Sequence, residues 1–119
     1  MRSILTVTAL AAALVGVVAA QDRVYLADQG VKNPVLVKEV KPTYTEGAMR
    51  RKVQGTVELK VVVLADGTVA DDVTVTKPLD EELDPQAVKA VKQWTFQPGT
   101  KDDKPVAVQV HIEMSFKLK

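Results

Sequence analysis

Few residues in this chain are suited to covalent or metal chemistry, and their spacing argues against it. There is one histidine, His111, and no cysteine among 119 residues. Zinc needs three or four nitrogen, sulfur or oxygen ligands, so a lone histidine without thiolates predicts no zinc site. Asp66, Asp71 and Asp72 invite a calcium reading, but they lack the spacing of a calcium loop and the glutamate that closes it. Ser115 has no base beside it in the sequence. Arg50-Arg51-Lys52 resembles a phosphate contact, yet no aromatic platform or second basic run accompanies it. Asp80-Glu81-Glu82 precedes a helix start, where anions are favoured without any ligand. Trp94 and Phe96 have the spacing of core residues. The sequence therefore predicts no enzyme, no cofactor and no metal. With 16 basic and 15 acidic side chains, the near-neutral charge also predicts no nucleic-acid partner.

The elements that hold these residues are legible from periodicity. Residues 1–20 read as an export signal. Arg2 supplies a short positive region, Ile4 to Val18 is apolar, and Val18-Ala19-Ala20 places a cleavage point between Ala20 and Gln21. The alternative is an uncleaved anchor, the one case in which the chain would meet a membrane. Residues 21–33 read as a flexible arm, and residues 34–119 as a single domain. Without disulfides that domain must rest on its apolar core.

Val35 to Val40 is a short β-like run before Pro42. A short helix is expected over about Thr45 to Lys52, with Thr43 or Thr45 as its cap. Thr56 to Leu64 is a strand with Val57, Leu59, Val61 and Val63 on one face. Asp66-Gly67 marks a tight hairpin turn into a second strand, Val69 to Lys77, with a bulge expected at Asp71-Asp72 to turn the carboxylates outward. Asp84 is expected to cap the main helix, with Pro85 in its first turn and Ala87, Val88, Val91 and Trp94 inward. From Val106 to Leu118 apolar and polar residues alternate without a break, so one face of the last strand is buried.

The expected architecture is α+β. A short helix precedes a three-stranded antiparallel sheet in β-β-α-β order, and the main helix packs on one face. The last strand then lies beside the first, at a sheet edge with unpaired peptide groups. That edge offers pairing with a partner strand or with a second copy of the chain.

Pro42-Thr43-Tyr44, Gly55-Thr56-Val57, Asp66-Gly67-Thr68-Val69, Leu83-Asp84-x-x-Ala87, Trp94-Thr95-Phe96-Gln97-Pro98 and Lys104-Pro105-Val106 with Phe116 follow one another in an order and spacing that resembles the TonB C-terminal domain family. The resemblance runs from about Pro34 to Lys119. It implies a periplasmic or secreted binding module that captures an extended peptide of an outer-membrane receptor, or of another envelope protein, by strand addition. It maps partner contacts onto the edge strand at Val106, Val108, Gln109, Val110, His111, Ile112 and Glu113. It maps further contacts onto Lys41, Pro42 and Tyr44 before the first helix. The alternative it implies is an energy-transducing component anchored in the inner membrane by an uncleaved N-terminal helix. Compared with the family's transducers, this sequence has no long Pro-rich spacer, and Lys41 stands where they carry Gln.

Overall fold

The computed structural model describes residues 23–118; the expected signal and its cleavage point at Ala20 and Gln21 lie outside them. Among the described residues seven strands and two helices follow in chain order: β1 Val24–Leu26, β2 Val35–Lys38, α1 Glu46–Arg50, β3 Gly55–Val63, β4 Thr74–Lys77, α2 Leu83–Val91, β5 Thr95–Gln97, β6 Gly99–Lys101 and β7 Lys104–Phe116.

The antiparallel β3–β7 pair is the spine. Its register runs unbroken from Gly55 opposite Phe116 to Val63 opposite Val108. Period-two alternation puts Val57, Leu59, Val61 and Val63 of β3, and Val108, Met114 and Phe116 of β7, on one buried face. Leu83, Ala87, Ala90 and Val91 of α2 pack against that face. Each such large apolar side chain contributes about 1.5–3 kcal/mol on burial.

The expected three-stranded β-β-α-β sheet is incorrect. The sheet is mixed and five-stranded, in the order β1-β7-β3-β4 with β6 also on β7, and β2 and β5 form a separate two-stranded sheet. β1 pairs in parallel with β7, Val24 to Leu26 opposite Ala107 to Gln109. β5 and β6 follow α2 directly, on either side of Pro98. The four added strands are three or four residues long. Segments that short carry no readable periodicity, and their pairing is decided by distant partners.

Two local expectations also change. The second strand is interrupted: Val69 makes a single bridge to Val63, and the ladder resumes only at Thr74. Asp71 and Asp72 are exposed in the gap, so their carboxylates are kept from the core by a break wider than a one-residue bulge. Asp84 does not cap α2, which begins one residue earlier, at Leu83. Its Oδ1 instead accepts from the Leu79 and Asp80 amides, at 2.9 and 3.2 Å, and so ties the preceding loop to the helix.

Thr45 does cap α1, accepting from the Ala48 amide at 3.2 Å. Its hydroxyl also donates to Glu82 at 2.8 Å. Arg51 just past the helix holds Asp80 through two bonds, at 2.8 and 3.1 Å, and Glu82 at 3.1 Å. Arg51 therefore joins the end of α1 to the start of α2. The Arg51 guanidinium, aided by the Glu82 amide, lowers the Asp80 carboxyl from 3.8 to about 2. A carboxyl lowered on folding adds stability that is complete above its unfolded value and is lost as pH falls through its folded value. Thermal unfolding followed from pH 5 to pH 2 should therefore show a steeper acid loss for the parent than for Arg51→Met. Parallel curves would show that the pair adds nothing to stability. The Asp66 carboxyl, lowered by the hydroxyl and amide of Thr68, acts in the same direction in both proteins.

Candidate functional site

The peptide groups of a strand point alternately to its two sides. The Ala70 amide donates to the Val62 carbonyl at 2.9 Å, so even-numbered residues of β3 face the β4 side. Odd-numbered ones, such as Val61, therefore face β7, where Val61 stands opposite Val110. It follows that even-numbered residues of β7 serve β3, and odd-numbered ones turn their N–H and C=O groups to the outer edge. Along that edge β1 covers Ala107 to Gln109. Among the described residues no strand lies beside His111, Glu113 and Ser115 on that edge.

The uncovered stretch borders an open groove of about 530 Å³. One wall is Glu113 to Lys117 of β7; the other is Glu39 to Pro42 with Tyr44, and Trp94 also lines it. Three contacts fix the second wall. The Trp94 indole N–H donates to the Val40 carbonyl at 2.8 Å, tying the segment before α1 to the end of α2. The Tyr44 hydroxyl donates to the Val53 carbonyl. The Tyr44 ring meets Phe116 edge-on, centroids 5.5 Å apart and planes at 86°, a favourable geometry for an aromatic pair. The groove thus has an apolar floor at Trp94, Met114 and Phe116, all buried. Charges of both signs ring it: Glu39 and Glu113 against Lys41 and Lys117.

This arrangement suits main-chain recognition. His111, Glu113 and Ser115 share the polar face of β7. Among the described residues no group of three His, Asp or Glu is placed to hold a metal ion.

The residues singled out from the sequence fall into three places. Lys41, Pro42, Tyr44 and Glu113 line the groove together. Val110, His111 and Ile112 lie on the stretch of β7 that no strand covers. Val106, Val108 and Gln109 lie further along, where Val106 pairs with Gly99 of β6, and Val108 and Gln109 lie opposite Tyr25 and Leu26 of β1. Val108 is fully buried. The sequence reading did not include Glu39, Val40, Trp94 or Lys117 in the site, and Met114, Ser115 and Phe116 entered it only as the end of the edge strand running from Val106 to Phe116. A signal for Ser115 was present, because the alternation of β7 runs on through it. None existed for Val40, whose place depends on a bond to a residue 54 positions away.

Comparison with known proteins places this geometry. Residues 40–118 match the family model described as Gram-negative bacterial TonB protein C-terminal. Protein TonB of Vibrio cholerae is 37% identical over 89 residues, covering 74% of this chain and 36% of that protein. Protein tonB2 of Pseudomonas aeruginosa is 43% identical over 77 residues, covering 65% of this chain and 28% of that protein. The chain thus spans about a third of the length of these relatives. Among solved structures, the solution NMR structure of the Pseudomonas aeruginosa TonB CTD superposes with a TM-score of 0.60 at 24% identity, covering 78% of this chain and 91% of that one. At that identity the likeness shows the fold alone.

Proposed function

We propose, from the premise that this chain belongs to the Gram-negative bacterial TonB C-terminal family, that it is a periplasmic protein-interaction module. It captures an extended segment of an envelope protein, such as an outer-membrane receptor, as an added strand on β7. The observation that carries this reading is the uncovered edge at His111, Glu113 and Ser115 beside a groove whose far wall is Glu39 to Tyr44. Main-chain bonds to those three residues supply affinity, and the walls select side chains. Lys41 and Glu113 face the occupant with opposite charge, so side chains of either sign have a partner in the groove. Among the described residues no helix is long and apolar enough to cross a membrane.

Titration of the labelled protein with TonB-box peptides of outer-membrane receptors tests the reading. Amide shifts should be largest at His111, Glu113 and Ser115, with smaller ones at Lys41, Thr43 and Tyr44. The intervening amides of Ile112 and Met114 should move less, because they are already bonded to β3. Peptides N-methylated at edge-facing positions should lose binding, while methylation at the alternate positions is tolerated. Absence of shifts at millimolar peptide, or shifts confined to β4, would overturn strand capture on β7.

A further inference from the structure

On the reading that the uncovered stretch of β7 captures a strand, we propose that the stretch beneath β1 is a concealed extension of the same docking edge. A partner strand that runs on beyond the uncovered stretch displaces β1 and pairs with Gln109 and Ala107.

β1 occupies the place an incoming strand needs. It lies against the outer edge of β7, in line with the uncovered residues, so it and a long partner strand cannot both be seated. Its hold is slight. Of its three residues, Leu26 turns both peptide groups away from β7: its amide donates to the Gln29 side chain at 2.8 Å, and its carbonyl accepts from the Gln29 amide at 3.1 Å. By strand alternation Tyr25 is the one residue of the three whose N–H and C=O both face β7, and the register brings the Arg23 C=O and the Ala27 N–H to the same side. Parallel pairing is also slightly weaker per residue than antiparallel pairing. The side chains of Val24 and Leu26 are each 44% exposed, so little apolar burial holds them.

Side-chain contacts of β1 gather at Tyr25. Lys101 sits 4.8 Å and Arg23 5.8 Å from its ring centroid; Tyr25 and Lys101 are half-buried and Arg23 is exposed, so these cation–π contacts stay open to water and modest. The Lys101 ammonium also donates to the Gln29 carbonyl at 3.1 Å. Past Gln29 the chain turns through Gly30, at φ 73°, and is fixed again where Lys32 exchanges amide bonds with Thr100 at 2.8 and 3.1 Å. Residues 23–31 thus form a flap anchored beyond its turn. Lifting it leaves β2, β3 and α2 in place and raises the outward-facing residues of β7 from three to five. A partner running through this stretch makes main-chain bonds at Gln109 and Ala107 in place of those of β1, in addition to its bonds at the uncovered residues, so exchange favours the partner once it is long enough.

The test uses the full chain and Tyr25→Pro, which removes the N–H that β1 presents to β7. Hydrogen exchange reports the flap without any partner. The Gln109 amide should exchange at least about tenfold faster in Tyr25→Pro, while Val110, Ile112 and Met114, bonded to β3, stay slow and certify the fold. Two receptor TonB-box peptides then report docking. One has about six residues, enough for the uncovered stretch at about 3.3 Å per residue; the other carries about three more at each end. The short peptide should bind parent and variant alike. The long one should bind the variant about tenfold tighter, as expected if the parent's extension is open about a tenth of the time, and it should shift Gln109. Lys101→Met, which loosens Tyr25 without a proline, should move both readouts the same way. If the short peptide binds but the long one gains nothing and leaves Gln109 unmoved, the extension is wrong and strand capture stands. If neither peptide binds, strand capture fails and the extension fails with it.

Discussion

Trp94→Ala is expected to lower the unfolding free energy by about 3–5 kcal/mol, the usual cost of truncating a buried tryptophan. Trp94 is only 7% exposed. Its ring packs on Phe96 at 6.2 Å, and its indole N–H holds the Val40 carbonyl. The truncation removes the apolar burial and leaves that carbonyl without its partner. For a domain of this size, whose total stability is of the order of 5–15 kcal/mol, such a loss lowers the melting temperature by tens of degrees or abolishes the fold. Trp94→Phe keeps much of the volume and removes the N–H, so it should cost about 1–3 kcal/mol. That variant also has a functional signature. Val40 belongs to the far wall of the groove, so freeing it should weaken peptide binding while the core survives. Chemical denaturation of the two variants checks the energies, and peptide titration of Trp94→Phe checks the wall. Equal stability of Trp94→Ala and parent would contradict the packing described for the end of α2.

The second large effect is expected at Gly67, where Gly67→Val should destabilise by about 2–5 kcal/mol. Two penalties combine. Gly67 has φ 88°, a conformation that costs about 1–3 kcal/mol for a residue with a side chain. A Cβ there would also stand 2.1 Å from the Phe96 carbonyl oxygen, so backbone must move, and overpacking of that kind costs about 1–3 kcal/mol. The close approach is functional in the fold: the Phe96 amide donates to the Gly67 carbonyl at 2.8 Å, which docks β5 on the tip of the β3–β4 hairpin. Gly67→Ala carries both penalties too, so it should cost nearly as much. The neighbouring Thr68→Val is expected to cost less, about 0.5–1.5 kcal/mol, because it loses only the hydroxyl bond to Asp66 at 2.6 Å and keeps the amide bond to the same oxygen. Comparable melting of the Gly67 and Thr68 variants would show that the turn does not need its glycine.

The sequence by itself determined the spine and one wall of the site. Alternation along β3 and β7 is a local pattern with a single physical meaning: apolar residues at every second position must share a buried face. The buried face of each strand and the place of Met114 and Phe116 on it follow from that pattern, while the register, Gly55 opposite Phe116, was set by the fold. The Gly67 turn was legible for the same reason, since it rests on bonds within a few residues, and the cap of α1 was narrowed to Thr43 or Thr45, of which the structure selects Thr45. Only the tertiary structure decided what lies beside that spine. β1, β5 and β6 are too short to declare themselves, β2 showed only as the β-like run Val35 to Val40 with no partner assigned, and all four pair because distant segments present complementary edges. Asp84 shows the same limit at the scale of one side chain. Its type suits a helix cap, yet the Leu79 and Asp80 amides claim it once the loop closes. The extent of the docking edge was beyond sequence reading for that reason too. Whether Gln109 is free or covered depends on where Tyr25 comes to rest, 84 residues away along the chain, and a contact at that separation is set by the closed fold and by no local pattern.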